Sequence, residues 1–138
     1  MTQSGSEQKK APADALRKLY IEPTSRCNLQ CAICFRRNWF DEATGSMPDA
    51  LWARLPEQLA QLPELECVVF GGMGEPLLDR RLPQLIHALS QRRIRTELIT
   101  NGTLLDEKMS ESLVAAGLSC LWLSMDGFTE ESFAKQRL

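Results

Sequence analysis

The sequence predicts an α/β fold built on a parallel sheet, and three observations carry that expectation. Four short runs of strand-forming residues recur along the chain, amphipathic helical patterns fill the intervals between them, and the polar or glycine-rich motifs fall just after the runs. Strand, helix, strand, helix at this rhythm implies right-handed βαβ units.

The first run is Leu19-Tyr20-Ile21-Glu22, followed by a cysteine-bearing loop. Pro48 and Asp49 then suit a helix start, with Leu51, Leu55, Leu59 and Leu62 as one apolar stripe. The second run is Cys67-Val68-Val69-Phe70, and Leu82, Leu85, Ile86 and Leu89 form the next stripe. After the third run, Thr96-Glu97-Leu98-Ile99, a helix opens near Asp106 as N-cap. It carries Met109, Leu113 and Ala116 on one side and stops at Gly117 in the C′ role. The fourth run is Leu121-Trp122-Leu123-Ser124-Met125. Residues 129–138 read as the first turns of a last helix, with Thr129 as cap and Glu130 and Glu131 near its positive end. A fourth strand with no later cover would be an open sheet edge, so the expectation is the N-terminal part of a longer protein.

Composition narrows the function classes. Hydrophobic residues make up 43%, charged residues 25%, and the formal net charge is −2, which gives no basic footprint for nucleic acid. No apolar stretch approaches the roughly 20 residues that cross a bilayer, so no membrane helix is expected. Residues 1–15 are polar and small and read as a disordered tail, leaving residues 16–138 as one domain. Five cysteines without a secretory signal point to a reducing compartment, the cytoplasm, where thiols serve metals or redox chemistry.

Cys27, Cys31 and Cys34 form a C-x3-C-x2-C run in the loop after the first strand. Three thiolates on one loop can hold three irons of a cubane cluster, leaving the fourth iron open to a ligand. Two rivals use the same residues: a structural zinc site completed by Cys67 or His87, and a thiol-disulfide module on Cys31-Ala32-Ile33-Cys34. Neither rival calls for the later motifs, Gly71-Gly72-Met73-Gly74-Glu75-Pro76, Thr100-Asn101-Gly102-Thr103 and Ser124-Met125-Asp126-Gly127. In a parallel layout all of these lie at the carboxyl ends of strands, where ligands bind. Cys67 and Cys120, at strand starts, read as core, and His87 as structural or solvent-facing.

From about Leu19 to Leu138 these motifs together resemble the radical S-adenosylmethionine (radical SAM) enzymes. The resemblance implies the first four βα units of a partial, TIM-like (β/α) barrel. It implies a [4Fe-4S] cluster on Cys27, Cys31 and Cys34, with S-adenosylmethionine chelating the open iron. Gly72, Gly74 and Glu75 would correspond to the segment that binds the ammonium of the methionine moiety, and Ile33 would pack near the adenine. Asn101 would be a secondary contact, while Ser124 and Asp126 would present polar groups to the ribose and the methionine carboxylate. No catalytic side chain is assignable beyond the cluster and cofactor ligands. The implied activity is reductive cleavage of the cofactor and hydrogen abstraction from a substrate, with a flavodoxin- or ferredoxin-like electron donor. Local wording is most similar to maturases that modify peptides or build metal cofactors, including those of tungsten-cofactor oxidoreductases, which makes a peptide or a metal-cofactor precursor possible; the substrate itself is not legible in the sequence.

Overall fold

The computed structural model describes residues 16–38 and 44–137. The expected N-terminal tail lies outside them. Four strands, β1 (Lys18–Ile21), β2 (Cys67–Phe70), β3 (Arg95–Thr100) and β4 (Cys120–Leu123), form one sheet in the order β1-β2-β3-β4, and every pairing is parallel. Five helices accompany them: α1 (Asp49–Trp52), α2 (Leu55–Ala60), α3 (Leu82–Ser90), α4 (Glu107–Ala116) and α5 (Glu130–Arg137). The fold class is the expected one.

Register aligns the strands so that Ile21, Phe70 and Leu98 share one face, and Val68 points the same way one repeat earlier. These side chains pack on Leu82, Leu85, Ile86 and Leu89 of α3 and on Leu113 and Ala116 of α4, all buried. Helix α3 thus buries the apolar stripe its spacing predicts. Helix α4 has the predicted ends: the Asp106 carboxylate accepts from Met109 N at 2.7 Å, and Gly117 closes it at φ 84°. Thr129 likewise caps α5 by accepting from Ser132 N at 3.2 Å.

The first helical segment departs from the expectation. It breaks into α1 and α2 because Pro56, in the first turn of α2, has no N–H to donate back to the preceding turn. The break rotates the first turn, so Leu51 is exposed and Trp52 is buried in its place, under the guanidinium of Arg81 at 4.6 Å.

The opposite face of the sheet carries Tyr20, Val69, Glu97, Ile99 and Trp122. Tyr20, Ile99 and Trp122 are solvent-exposed there. Cys67 and Cys120 also stand on this face and are only half-buried, which corrects their reading as core. Successive strand side chains point to opposite faces of the sheet, so the thiols fall on the side that the helices do not cover. His87 is exposed on α3.

Candidate functional site

The loops at the carboxyl ends of the four strands meet around the cysteine loop. A cleft of about 170 Å³ is lined by Cys27, Cys31 and Cys34, by Gly72, Met73, Gly74 and Glu75 after β2, by Thr100 and Asn101 after β3, and by Ser124 after β4. One cleft therefore joins motifs that lie far apart in sequence.

The cysteine loop is folded by its own backbone, with Cys34 N donating to Cys31 O at 3.0 Å and Arg37 N to Cys34 O at 3.1 Å. Its start is backed by the bridge between Thr24 and Ser46. Its middle is tied to α5, where Ala32 N donates to Gln136 O at 2.8 Å. Cys31 is buried while Cys27 and Cys34 are half-exposed, and none is in a disulfide.

Glu75 brackets the loops. Its carboxylate, 2% exposed, accepts from Leu77 N at 3.0 Å, Thr100 Oγ1 at 2.6 Å and Asn101 N at 2.8 Å. Its own N–H donates to Arg26 O at 2.8 Å. The loops after β1, β2 and β3 are thus joined through one residue, and a carboxylate with about four acceptor positions keeps one for a further donor.

Gly74 is required by space, since a Cβ there would lie 1.8 Å from Thr24 O. The tight approach brings its N–H, with that of Met73, onto the carboxylate of Glu22. Glu22 was visible in the sequence only as the residue ending the first strand run, with no motif to single it out.

Asn101 Nδ2 points at Cys27 Sγ, 3.7 Å away, and also donates to Asn28 Oδ1 at 3.0 Å. From α5, Arg137 reaches the other side of the loop and sits 6% exposed. It donates to Ser124 O at 2.7 Å and Ser124 Oγ at 2.8 Å, pairs with Asp126 at 2.7 Å, and its Nη1 lies 3.9 Å from Cys31 Sγ. Arg137 also lines the cleft. Sequence reasoning missed it because a lone arginine in a helix last turn has no motif around it.

Among the sequence-predicted residues, the three cysteines, Gly72, Gly74, Glu75, Asn101 and Ser124 come together in this cleft. Asp126 lies outside its lining, half-buried and held by Arg137. Ile33 is not brought to the cleft either and is 61% exposed.

One feature of the cleft fits an iron-sulfur cluster. Three thiols on one loop can each take a separate iron of a cubane, and two of these sulfurs face N–H donors, from Asn101 and Arg137, of the kind that hydrogen-bond to ligating sulfur.

Similarity to known proteins agrees with this geometry. Over 111 residues the chain is 37% identical to the tungsten-containing aldehyde ferredoxin oxidoreductase cofactor-modifying protein of Pyrococcus furiosus, covering 80% of this chain and 31% of that protein. It is 36% identical over 114 residues to a PqqA peptide cyclase of Granulibacter bethesdensis, covering 83% of this chain and 30% of the cyclase. The chain thus spans about a third of the length of these curated relatives. Among solved structures, anSMEcpe with bound AdoMet superposes with a TM-score of 0.70 at 28% identity, over 88% of this chain and 35% of that one. BtrN in complex with AdoMet and 2-DOIA gives 0.67 at 27% identity, over 86% of this chain and 54% of BtrN. A family model for the radical SAM superfamily matches residues 21–138, from the end of β1 to beyond α5, and the chain belongs to that superfamily.

Proposed function

We propose that this chain carries the cofactor-binding loops of a radical SAM enzyme, with Cys27, Cys31 and Cys34 holding a [4Fe-4S] cluster and the adjoining cleft taking S-adenosylmethionine. The single observation that carries the reading is the cleft in which all three thiols meet residues of the loops after β2, β3 and β4. When bound, the two groups supply a one-electron cleavage that gives methionine and a 5′-deoxyadenosyl radical able to take a hydrogen atom from a substrate.

Each side chain has a task in that reading. Glu75 fixes the three loops relative to one another and offers its remaining acceptor position, with the backbone around Gly72 and Gly74, to the cofactor's ammonium. Arg137 and Ser124 bring a cation and a hydroxyl to the Cys31 side of the cleft, where a carboxylate would be received. Asp126 holds Arg137 in place. Asn101 orients its amide toward Cys27. Ile33, exposed beside the cysteines, offers apolar surface to a purine ring.

At about 170 Å³ the cleft is smaller than the roughly 300 Å³ at which ligand pockets usually begin, so these four strands supply one wall of the site. The relatives frame the substrate as a peptide or a metal-cofactor precursor. No helix among the described residues is long and apolar enough to cross a membrane, and an oxygen-sensitive cluster on free cysteines suits the cytoplasm.

Electron paramagnetic resonance on the anaerobically reconstituted, dithionite-reduced protein tests the reading. A reduced [4Fe-4S] signal that changes on addition of S-adenosylmethionine and disappears in Cys31→Ala is expected. Stoichiometric zinc without iron, or a signal indifferent to the cofactor, would overturn it.

A further inference from the structure

The two N–H donors that face the cysteine sulfurs are not alike. Cys27 meets the neutral amide of Asn101, whereas Cys31, the buried thiol of the three, meets the guanidinium of Arg137. Arginine is not deprotonated in proteins, so a full positive charge stands 3.9 Å from one prospective ligand sulfur. Apart from the cysteines, Glu75 and Arg137 are the charged side chains in the lining of the cleft, and Glu75 is engaged with Leu77, Thr100 and Asn101.

Arg137 is also held in place. Its Nη2 is shared by Ser124 O, Ser124 Oγ and Asp126 Oδ2, at 2.7, 2.8 and 2.7 Å. Its Nη1 is left to the sulfur, and its Nε is buried with no hydrogen-bond partner among the described residues. Asp126 is the counter-charge, but it binds the Nη2 end, so the Nη1 end of the guanidinium is the one turned to Cys31. The Asp126 side chain is 37% exposed against 8% for Arg137, so solvent screens the carboxylate more than the cation. A fixed charge in a dry place acts on its neighbour through a low effective dielectric.

We propose that Arg137 sets the reduction potential of the cluster, raising it through Cys31, with Asp126 as the counterweight that moderates the effect. The proposal rests on the cluster reading above and gives Arg137 a role distinct from receiving a carboxylate of the cofactor. On reduction one electron passes from a one-electron reductant to the cluster; no bond forms or breaks, and Arg137 keeps its protons. The reduced cluster is one unit more negative than the oxidised one, so a cation beside a ligand sulfur favours it and a nearby carboxylate opposes it. The two members of the pair therefore act with opposite sign, which packing alone would not produce.

The test is a potentiometric titration of the anaerobically reconstituted protein, followed by electron paramagnetic resonance. S-adenosylmethionine is left out, so that its own charges do not enter the reading. Arg137→Gln should make reduction about tenfold less favourable, a midpoint about 59 mV lower for one electron. Arg137→Lys, which keeps the charge, should recover most of that shift, and Asp126→Asn should move the midpoint the other way by a smaller amount. If Arg137→Gln fails to hold iron, the direction of the Asp126→Asn shift decides. Midpoints unmoved in these variants, or lowered by Asp126→Asn as by Arg137→Gln, would overturn the proposal and leave the cluster reading standing. An unmoved midpoint in Arg137→Gln beside weakened calorimetric binding of S-adenosylmethionine would assign Arg137 to the cofactor alone and also overturn it. Failure of the wild-type protein to form a dithionite-reducible cluster would remove the cluster reading, and the proposal with it.

Discussion

Two cysteine environments in this sheet differ in what their sulfurs meet. At the carboxyl ends of the strands, Cys27 and Cys31 face N–H donors from Asn101 and Arg137. Near the other end of β2, Cys67 faces a carboxylate, with its Sγ 3.7 Å from Glu97 Oε1. N–H donors suit a sulfur that ligates a metal, whereas the carboxylate beside Cys67 favours its protonated thiol. Glu97 is itself a meeting point: Lys18 of β1 lies at 3.6 Å, Trp122 of β4 donates at 3.2 Å, and Arg95 approaches from its own strand at 3.4 Å. Every strand therefore sends one side chain to this carboxylate. The chemistry of a cysteine here follows from its neighbours, since all five share one chain and none is in a disulfide.

Iron loading breaks or upholds the contrast most sharply. Cys31→Ala is expected to abolish the cluster, while Cys67→Ala keeps full iron and sulfide content, as read by metal analysis after anaerobic reconstitution. Comparable iron loss in both variants would place Cys67 among the ligands and end the distinction.

A smaller effect is expected at the bracket that holds the loops in register. Glu75→Ala leaves Leu77 N, Asn101 N and Thr100 Oγ1 without their acceptor in a buried place, at a cost of about 3 kcal/mol by denaturant unfolding. The same substitution at exposed Glu107 should cost under about 0.5 kcal/mol. Equal losses would mean that the loops hold together without Glu75.

The helix-covered face was legible in the sequence because burial there follows a period. The leucines of α3, the Asp106 cap and the Gly117 stop act through local rules, and the strand runs were each found to within about two residues. Pro56 shows where the period misled: the leucine spacing crosses a residue that interrupts the helix. The site was legible wherever residues sit in motifs, as with the cysteines and Glu75. Arg137 and Glu22 were not, because their partners lie across the fold, at Ser124 and Cys31 in one case and at Met73 and Gly74 in the other. Nor does periodicity tell which face of a strand the helices will leave open, and for that reason Cys67 and Cys120 read as core.

The gentlest probe of the contrast is the ionisation of Cys67 itself. Burial pushes its thiol above the ordinary range, and the Glu97 carboxylate pushes it further, against a smaller opposing pull from Lys18 and Arg95. Such a group favours folding while the thiol stays protonated; that contribution is complete below the unfolded thiol's pKa and is lost as pH rises through the folded value. Two outcomes follow. In the wild type, alkylation of Cys67 by iodoacetamide should reach half its maximal rate at a higher pH than a free cysteine, by mass spectrometry of the modified peptide. In Glu97→Gln that midpoint should move down toward, but not onto, the free value, because burial remains when the charge is gone. A midpoint unmoved by Glu97→Gln would show that Glu97 contributes nothing to the protonation of Cys67 and would remove the carboxylate from the contrast between the two cysteine environments.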